Sequence, residues 1–209
     1  MEKNSTFFNF SNDILYKIDK TGLSSGLFTF SIELPFRDLL EIYSLFIDQY
    51  NFSIFWQENN NTFIALDKCK SISLDNPERF KIARKFNDQI FKNIINLDSK
   101  FKLTCFSKIF YFFSFKDNIN NNHSENNVPS LEGVLPKILI TCSDGKILIR
   151  MNLDINLKSS VKDSLYEFWS IMDKIISQKN FKNNYEYKKI SINNFYRSFD
   201  ENHQSLSKK

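Results

Sequence analysis

The 209-residue chain carries 28 basic and 24 acidic side chains, which gives a formal net charge of +4. With 42% hydrophobic and 16% aromatic residues it can bury a core, which excludes an intrinsically disordered chain. Basic residues are spread along the sequence, so composition does not predict a nucleic-acid-binding surface. Apolar runs such as Ile109 to Phe113 are far shorter than the roughly 20 residues that span a bilayer. The opening residues lack a secretory signal pattern, and we expect a cytoplasmic protein.

Cysteine and histidine spacing predicts neither a disulfide framework nor a metal site. Cys69, Cys105 and Cys142 are an odd number at wide spacing, without a C-x-x-C pair. His123 stands in a polar segment with no second ligand at metal-binding spacing. We expect a solvated histidine and assign no metal residue.

The first half of the chain alternates between strand and helix patterns. After a mixed amino-terminal segment, residues 1–25, the alternation in Leu27 to Leu34 predicts a strand that Pro35 ends. Apolar residues at helical spacing then predict a helix over Phe36 to Tyr50. Phe52 to Gln57 and Thr62 to Asp67 read as the two strands of a hairpin.

A second helix and a strongly aromatic strand follow. Asn76 and Pro77 are typical of a helix start, and an apolar stripe continues from Phe80 to Leu97. Phe106 to Phe115 is expected to be a strand covered on both faces. Asp117 to Asn127, with almost no apolar side chain, is expected to be a mobile loop.

The last third contains another hairpin and another helix. Lys137 to Thr141 and Lys146 to Met151 flank Ser143-Asp144-Gly145, a turn sequence that tolerates positive φ. Ser160 is expected to cap a helix whose apolar face runs from Val161 to Ile176. The order of elements predicts an α+β lobe, residues 26–180, with helices packed on a largely antiparallel sheet.

No motif in the sequence carries chemistry by itself. Phosphate-binding loops, nucleophile elbows and zinc-helix motifs are absent, and the four glycines are scattered. Asp200 and Glu201 are read as solvated charges. The aromatic residues Phe110 to Phe113 could stack on nucleic-acid bases, but core packing is favoured because only Lys108 and Lys116 flank them.

A series of segments in the right order resembles the amino-terminal part of isochorismate synthases, a family of chorismate-utilising enzymes. Asn51 to Ile72 resembles the family's Trp-containing strand pair, and Phe80 to Phe91 is similar to the helix that follows. Phe112 to Asp117 looks like the family's Gly-Phe-x-Phe-Phe-Asp segment, although the glycine is absent. Leu131 to Ile140, with Leu135-Pro136-Lys137, resembles the Leu-Pro-Arg strand, and Lys146 to Asn152 fits the strand after it.

The resemblance implies conversion of chorismate to isochorismate with Mg²⁺, using a lysine that activates water, a glutamate acid and metal-binding glutamates in the carboxy-terminal half. We expect this chain to stop before them, with residues 181–209 as a truncated lead-in to the catalytic region. No catalytic, cofactor-binding or metal residue is therefore assigned. The run Lys146 to Arg150 looks like the strand that carries the catalytic lysine, but it follows the Leu-Pro-Lys hairpin and is read as structural.

Three functional hypotheses follow. The resemblance implies an isochorismate synthase family protein of menaquinone or phylloquinone biosynthesis that lacks turnover by itself. The first alternative is an interaction module that complements a separately encoded catalytic half, so that chorismate is bound only with that partner. The second alternative is a nucleic-acid-binding domain, whose affinity would fall steeply with salt. We expect neither a nucleic-acid nor a membrane partner.

Overall fold

A computed structural model describes residues 2–35, 37–58, 61–98, 108–114, 129–143, 146–156 and 160–177. These ranges contain four helices and seven strands. The helices are α1 (Glu2–Lys20), α2 (Leu39–Phe46), α3 (Arg79–Asn93) and α4 (Ser160–Ser177). The strands are β1 (Gly26–Leu34), β2 (Ser53–Glu58), β3 (Asn61–Leu74), β4 (Ile94–Asn96), β5 (Phe110–Phe113), β6 (Leu131–Ser143) and β7 (Lys146–Ile155). None of the described helices is long and apolar enough to cross a membrane.

All described strands join one sheet in the order β2-β3-β6-β7-β1-β4, and β5 pairs with β6 beside this path. Every pairing is antiparallel except that of β1 with β4. The expected α+β class with a largely antiparallel sheet is confirmed. The two predicted hairpins are also present, as β2 with β3 and β6 with β7.

The main core lies on the face of the sheet that α1, α2 and α4 cover. Alternate residues of β1 and β7 point into it, as the two-residue period of a strand requires. The largest apolar side chains there are fully buried: Phe28, Phe30, Phe46 and Phe168. Burial of each such side chain contributes roughly 1.5–3 kcal/mol relative to exposure, so this layer dominates the stability of the lobe.

Helix α3 covers a smaller apolar cluster on the opposite face, made by Leu27, Ile90, Ile94 and Leu135. Two polar residues also lie on this second face, Arg150 of β7 and Thr29 of β1. They alternate with core residues along their strands, and each is at most 1% exposed. The guanidinium Nη1 of Arg150 is 3.5 Å from Thr29 Oγ1. The two faces therefore differ in chemistry, one aliphatic and aromatic, the other partly polar.

Helix α1 is the element that the sequence reading did not identify. Phe7, Phe10, Ile14 and Ile18 recur at intervals of three and four residues, which is the spacing of one helical face. Phe10 packs against Phe168 of α4, with ring centroids 6.0 Å apart. Lys17 and Lys20 lie in the last turn, where cations interact favourably with the helix dipole. The described part of the first 25 residues therefore packs on the same core as the strands.

Two predicted helices are shorter than expected. Asp38 has an extended backbone, and its carboxylate accepts a 2.7 Å hydrogen bond from Leu40 N, so α2 begins after Asp38 and not at Pro35. Helix α3 gives way to β4 at Ile94, which pairs with Leu27 of β1. Sheet pairing, a non-local effect, thus ends the second helix.

The aromatic strand is less buried than predicted. Only Phe110–Phe113 forms β5, and Phe112 and Phe113 are 43% and 36% exposed. The prediction that both faces are covered is wrong, because these two consecutive residues point to opposite faces of the strand and both are exposed. Phe80, expected on the apolar stripe of α3, is also 62% exposed. The loop predicted over residues 117–127 and the segment 181–209 lie outside the described residues.

Candidate functional site

The sheet opens at the middle of β6. Ile138 to Ser143 pair with β7, whereas Leu131 to Val134 pair with β5 along the same edge. Strand β3 lies along the other edge, and its register shifts between Lys68 and Lys70. A register shift of this kind bends the strand and increases its local twist. Asn152 bridges the fork from β7, since its Nδ2 donates a 2.7 Å hydrogen bond to Pro136 O.

A cleft of about 270 Å³ lies at this fork, between β3, β7 and the first turns of α4. Its volume is slightly below the common range for small-molecule sites, roughly 300–1,000 Å³. The lining is mostly polar and consists of Asp67, Lys68, Cys69, Lys137, Asn152, Leu153, Asp154, Ile155, Val161 and Ser164. Asp67, the residue before the register shift, has a positive φ of 56°.

Among the residues that the structure describes, each lysine around the cleft is paired with a carboxylate. Lys68 Nζ lies 2.6 Å from Glu132 Oε1. Lys70 pairs with Asp154. Lys137 Nζ lies 2.6 Å from Glu167 Oε2 and 3.8 Å from Asp67 Oδ2. The positive charge that could attract an anionic ligand is therefore largely compensated within the lobe itself.

Glu167 connects three parts of the structure at one end of the cleft. Its Oε1 accepts a 3.2 Å hydrogen bond from the Tyr50 hydroxyl, while its Oε2 pairs with Lys137. Burial, followed by the negative charge of Glu167, raises the pKa of Tyr50 well above its usual range. Tyr50 therefore remains a neutral hydrogen-bond donor, and the three residues fix α4 against β6 and the segment before β2.

Cys69 is the thiol of the cleft, and its environment makes it a poor nucleophile. Burial, and then the negative charge of Asp154, raises the pKa of Cys69 to about 12. Cys69 and Cys142 are both free thiols. Cys105 lies outside the described residues.

Asn152 leaves one buried acceptor in the cleft wall. The residue is 1% exposed, and its Oδ1 has no hydrogen-bond partner among the described residues. A buried carbonyl without a donor costs roughly 1–3 kcal/mol. Sequence reading gave no signal for this position, because the fork that surrounds it depends on three distant strands.

A second cleft, of about 410 Å³, lies beside α3. It shares Asp154 with the first and is otherwise lined by Gly26, Leu27, Lys70, Phe86, Gln89, Ile90 and Asn93. The salt bridge between Lys70 and Asp154 thus joins a residue of the second cleft to the residue that borders both.

The comparison with known proteins decides the family. The family described as "Chorismate binding enzyme" matches residues 13–208, which is most of the chain. The chain belongs to this family. A search of curated proteins finds no match.

Among solved structures, this chorismate-binding enzyme family member is similar to MenF, the menaquinone-specific isochorismate synthase from Escherichia coli. Sequence identity is 16% and the TM-score is 0.46. The match covers 76% of this chain and 31% of that one, so the chain spans about a third of the length of the structure it matches.

The described residues of this chorismate-binding enzyme family member contain no group of three or more His, Cys, Asp and Glu side chains that could hold a metal ion. His123 and the acidic pair Asp200 and Glu201 lie outside the described residues. The expectation that this chain supplies no metal ligand therefore stays a prediction.

The run Lys146 to Arg150 lies on β7, the second strand of the β6–β7 hairpin. Lys146 begins β7 opposite Ser143 of β6, and Arg150 four residues later is buried in the sheet. Met151, next to it, faces the main core. The structural reading of Lys146 stays a prediction, which substitution can test.

Proposed function

We propose that the chain forms the amino-terminal lobe of an enzyme that converts chorismate to isochorismate, and that the base, the acid and the Mg²⁺ ligands come from a catalytic region that these residues do not supply. Membership of the chorismate-binding family supports the substrate class. The lobe by itself is then without turnover.

The observation that carries the proposal is the pairing of the described cleft lysines, Lys68 and Lys137, with carboxylates. Chorismate has two carboxylates, and moving its hydroxyl group requires a base that activates water, an acid for the leaving oxygen and a cation on the substrate. Lys137 donates a 2.6 Å hydrogen bond to Glu167 and is thereby held by a side chain of the lobe itself. Cys69, with its pKa raised to about 12, cannot act as the base either.

The isochorismate produced by the complete enzyme would enter menaquinone biosynthesis. This assignment is supported by the stated specificity of the E. coli enzyme to which the chain is similar. In an organism that makes phylloquinone, the isochorismate would enter phylloquinone biosynthesis. The cytoplasm is the location that the sequence predicts.

The experiment is an assay of the purified chain with chorismate and Mg²⁺, with products separated by chromatography. We expect no isochorismate above the level of a protein-free control. Lys146→Ala and Lys137→Ala are the matched variants. Turnover by the unchanged chain that Lys146→Ala abolished would overturn both the proposal and the structural reading of Lys146.

A second candidate function is complementation of a separately produced catalytic half. An exposed aromatic surface favours it: the rings of Phe80 and Phe113 lie 4.7 Å apart, and these side chains are 62% and 36% exposed. Contiguous apolar surface of this kind marks interaction sites. If mixing the chain with the carboxy-terminal half of a family enzyme restored isochorismate formation, and Phe113→Ser prevented it, this function would be established.

A further inference from the structure

The free edge of β2 is the starting point for an inference about self-association. Strand β2 pairs with β3 and with no other described strand. Its sequence, SIFWQE, contains no proline or lysine, two residues that commonly protect an edge strand. Trp56 on this strand is 55% exposed. At the other end of the sheet, β4 has only three residues and is paired in parallel, so β2 is the better template for another strand.

The hydrogen-bonding pattern between β2 and β3 shows which backbone groups of β2 point away from β3, toward the open edge. Asp67 N–H donates to Phe52 O at 2.9 Å, so Phe52 and Asp67 form a hydrogen-bonded pair. Because hydrogen-bonded and non-hydrogen-bonded pairs alternate in an antiparallel ladder, Ser53, Phe55 and Gln57 direct their N–H and C=O groups away from β3. An incoming strand would bind to these three residues.

The side chains of β2 are self-complementary about Phe55. If a second β2 pairs antiparallel with Phe55 opposite Phe55, Ser53 faces Gln57 and Ile54 faces Trp56, each pair occurring twice. All three outward residues are then hydrogen-bonded, and apolar side chains face apolar side chains on both surfaces. This pairing has a twofold axis perpendicular to the sheet, so both copies keep their helices on the same side.

The ends of the pairing are compatible in charge. Glu58 would stand opposite Phe52 of the second copy, whose ring centre lies 5.3 Å from Lys68 Nζ. Because Lys68 already pairs with Glu132, Glu58 of the other copy would add a second carboxylate to this ammonium. We propose that β2 joins two copies of this chain edge to edge, with Phe55 at the twofold axis, and forms one continuous sheet.

The first test measures the mass of the full chain by light scattering and sedimentation velocity over an about hundredfold concentration range. We expect a monomer–dimer equilibrium that Trp56→Lys weakens about tenfold, because it replaces both Ile54–Trp56 pairs and places charge on the edge. Tyr16→Lys, at a residue 66% exposed on α1, is the matched control and should leave the equilibrium unchanged. A chain that is monomeric throughout, or a dimer that Trp56→Lys does not weaken, overturns the proposal.

The second test fixes the register by cross-linking in a chain whose Cys69, Cys105 and Cys142 are replaced by serine. Positions 54 and 56 of the two copies would face each other in non-hydrogen-bonded pairs about 4.5 Å apart, within the span of a disulfide. Ile54→Cys combined with Trp56→Cys should therefore form a covalent dimer quickly, and Trp56→Cys alone slowly. Faster cross-linking by the single variant would contradict the proposed pairing.

Discussion

A Cβ atom at Gly133 would lie only 2.7 Å from Cε1 of Tyr111. The Tyr111 ring thus occupies the space above β6 that a side chain at position 133 would need, while its hydroxyl donates a 3.0 Å hydrogen bond to Ala83 O of α3. This contact fixes β5 and α3 against the same point of the sheet.

Gly133→Ala should lower the free energy of unfolding by about 1–3 kcal/mol, because the new methyl group also meets Ile72 Cγ2 at 2.9 Å. Urea titration followed by circular dichroism measures the change. In a Tyr111→Leu background the same substitution should cost less. An equal cost in both backgrounds would show that the ring is not the obstacle.

Removal of a core side chain from α1 tests whether this helix belongs to the fold. Ile14 is 4% exposed, and Ile14→Ala should lower the free energy of unfolding by about 2–5 kcal/mol through lost burial and the cavity left behind. Tyr16→Ala, on the exposed face of the same helix, should change stability by less than about 0.5 kcal/mol. Similar small effects of both variants would mean that α1 does not pack on the sheet.

Cys69 should resist alkylation in the folded chain and react once the chain is unfolded. With its pKa raised to about 12, the thiolate fraction at pH 8 is very small. Iodoacetamide labelling followed by peptide mass spectrometry measures the modification of this residue with and without urea. Rapid labelling of Cys69 in the folded protein would contradict the burial of its thiol.

The raised pKa of Cys69 also predicts that the folded chain loses stability at high pH. The unfolded thiol ionises near pH 8.5 and the folded one only near its raised pKa of about 12, so between these values the unfolded state has released more protons. The stabilising contribution of Cys69 is fully present below about pH 8.5 and is lost as pH rises toward 12. The free energy of unfolding should be measured by urea titration across this pH range. It should fall more steeply with pH for the unchanged chain than for Cys69→Ser. The same pH dependence for both proteins would exclude the linkage.

The ion pair between Lys137 and Glu167 should be energetically coupled. A double-mutant cycle with Lys137→Met and Glu167→Gln should give a coupling of about 0.5–2 kcal/mol, because both side chains are partly buried and the carboxylate also accepts from Tyr50. Added salt should reduce this coupling only partly. Lys81 and Glu78, an exposed pair on one turn of α3, provide the control cycle, and their coupling should be smaller.

The sequence by itself determined the elements whose apolar period is local. The alternation of Leu27 to Leu34, the turn residues between β6 and β7, and the helical stripe after Ser160 correspond to β1, the β6–β7 hairpin and α4. The order of segments that resembles isochorismate synthases led to the family that the chain belongs to. Helix α1 carried the same kind of periodic signal in Phe7, Phe10, Ile14 and Ile18, and could have been predicted.

Only the tertiary structure decided which distant elements meet. Periodicity shows which face of an element is apolar, but it does not show what covers that face. It therefore could not predict that β6 changes partner from β7 to β5, that Asn152 is buried at that fork, or that Phe112 and Phe113 remain exposed. The pairing of each cleft lysine with a carboxylate joins residues from β3, β6, β7 and α4. Such contacts depend on strand register and helix docking, which the packing of the whole core determines.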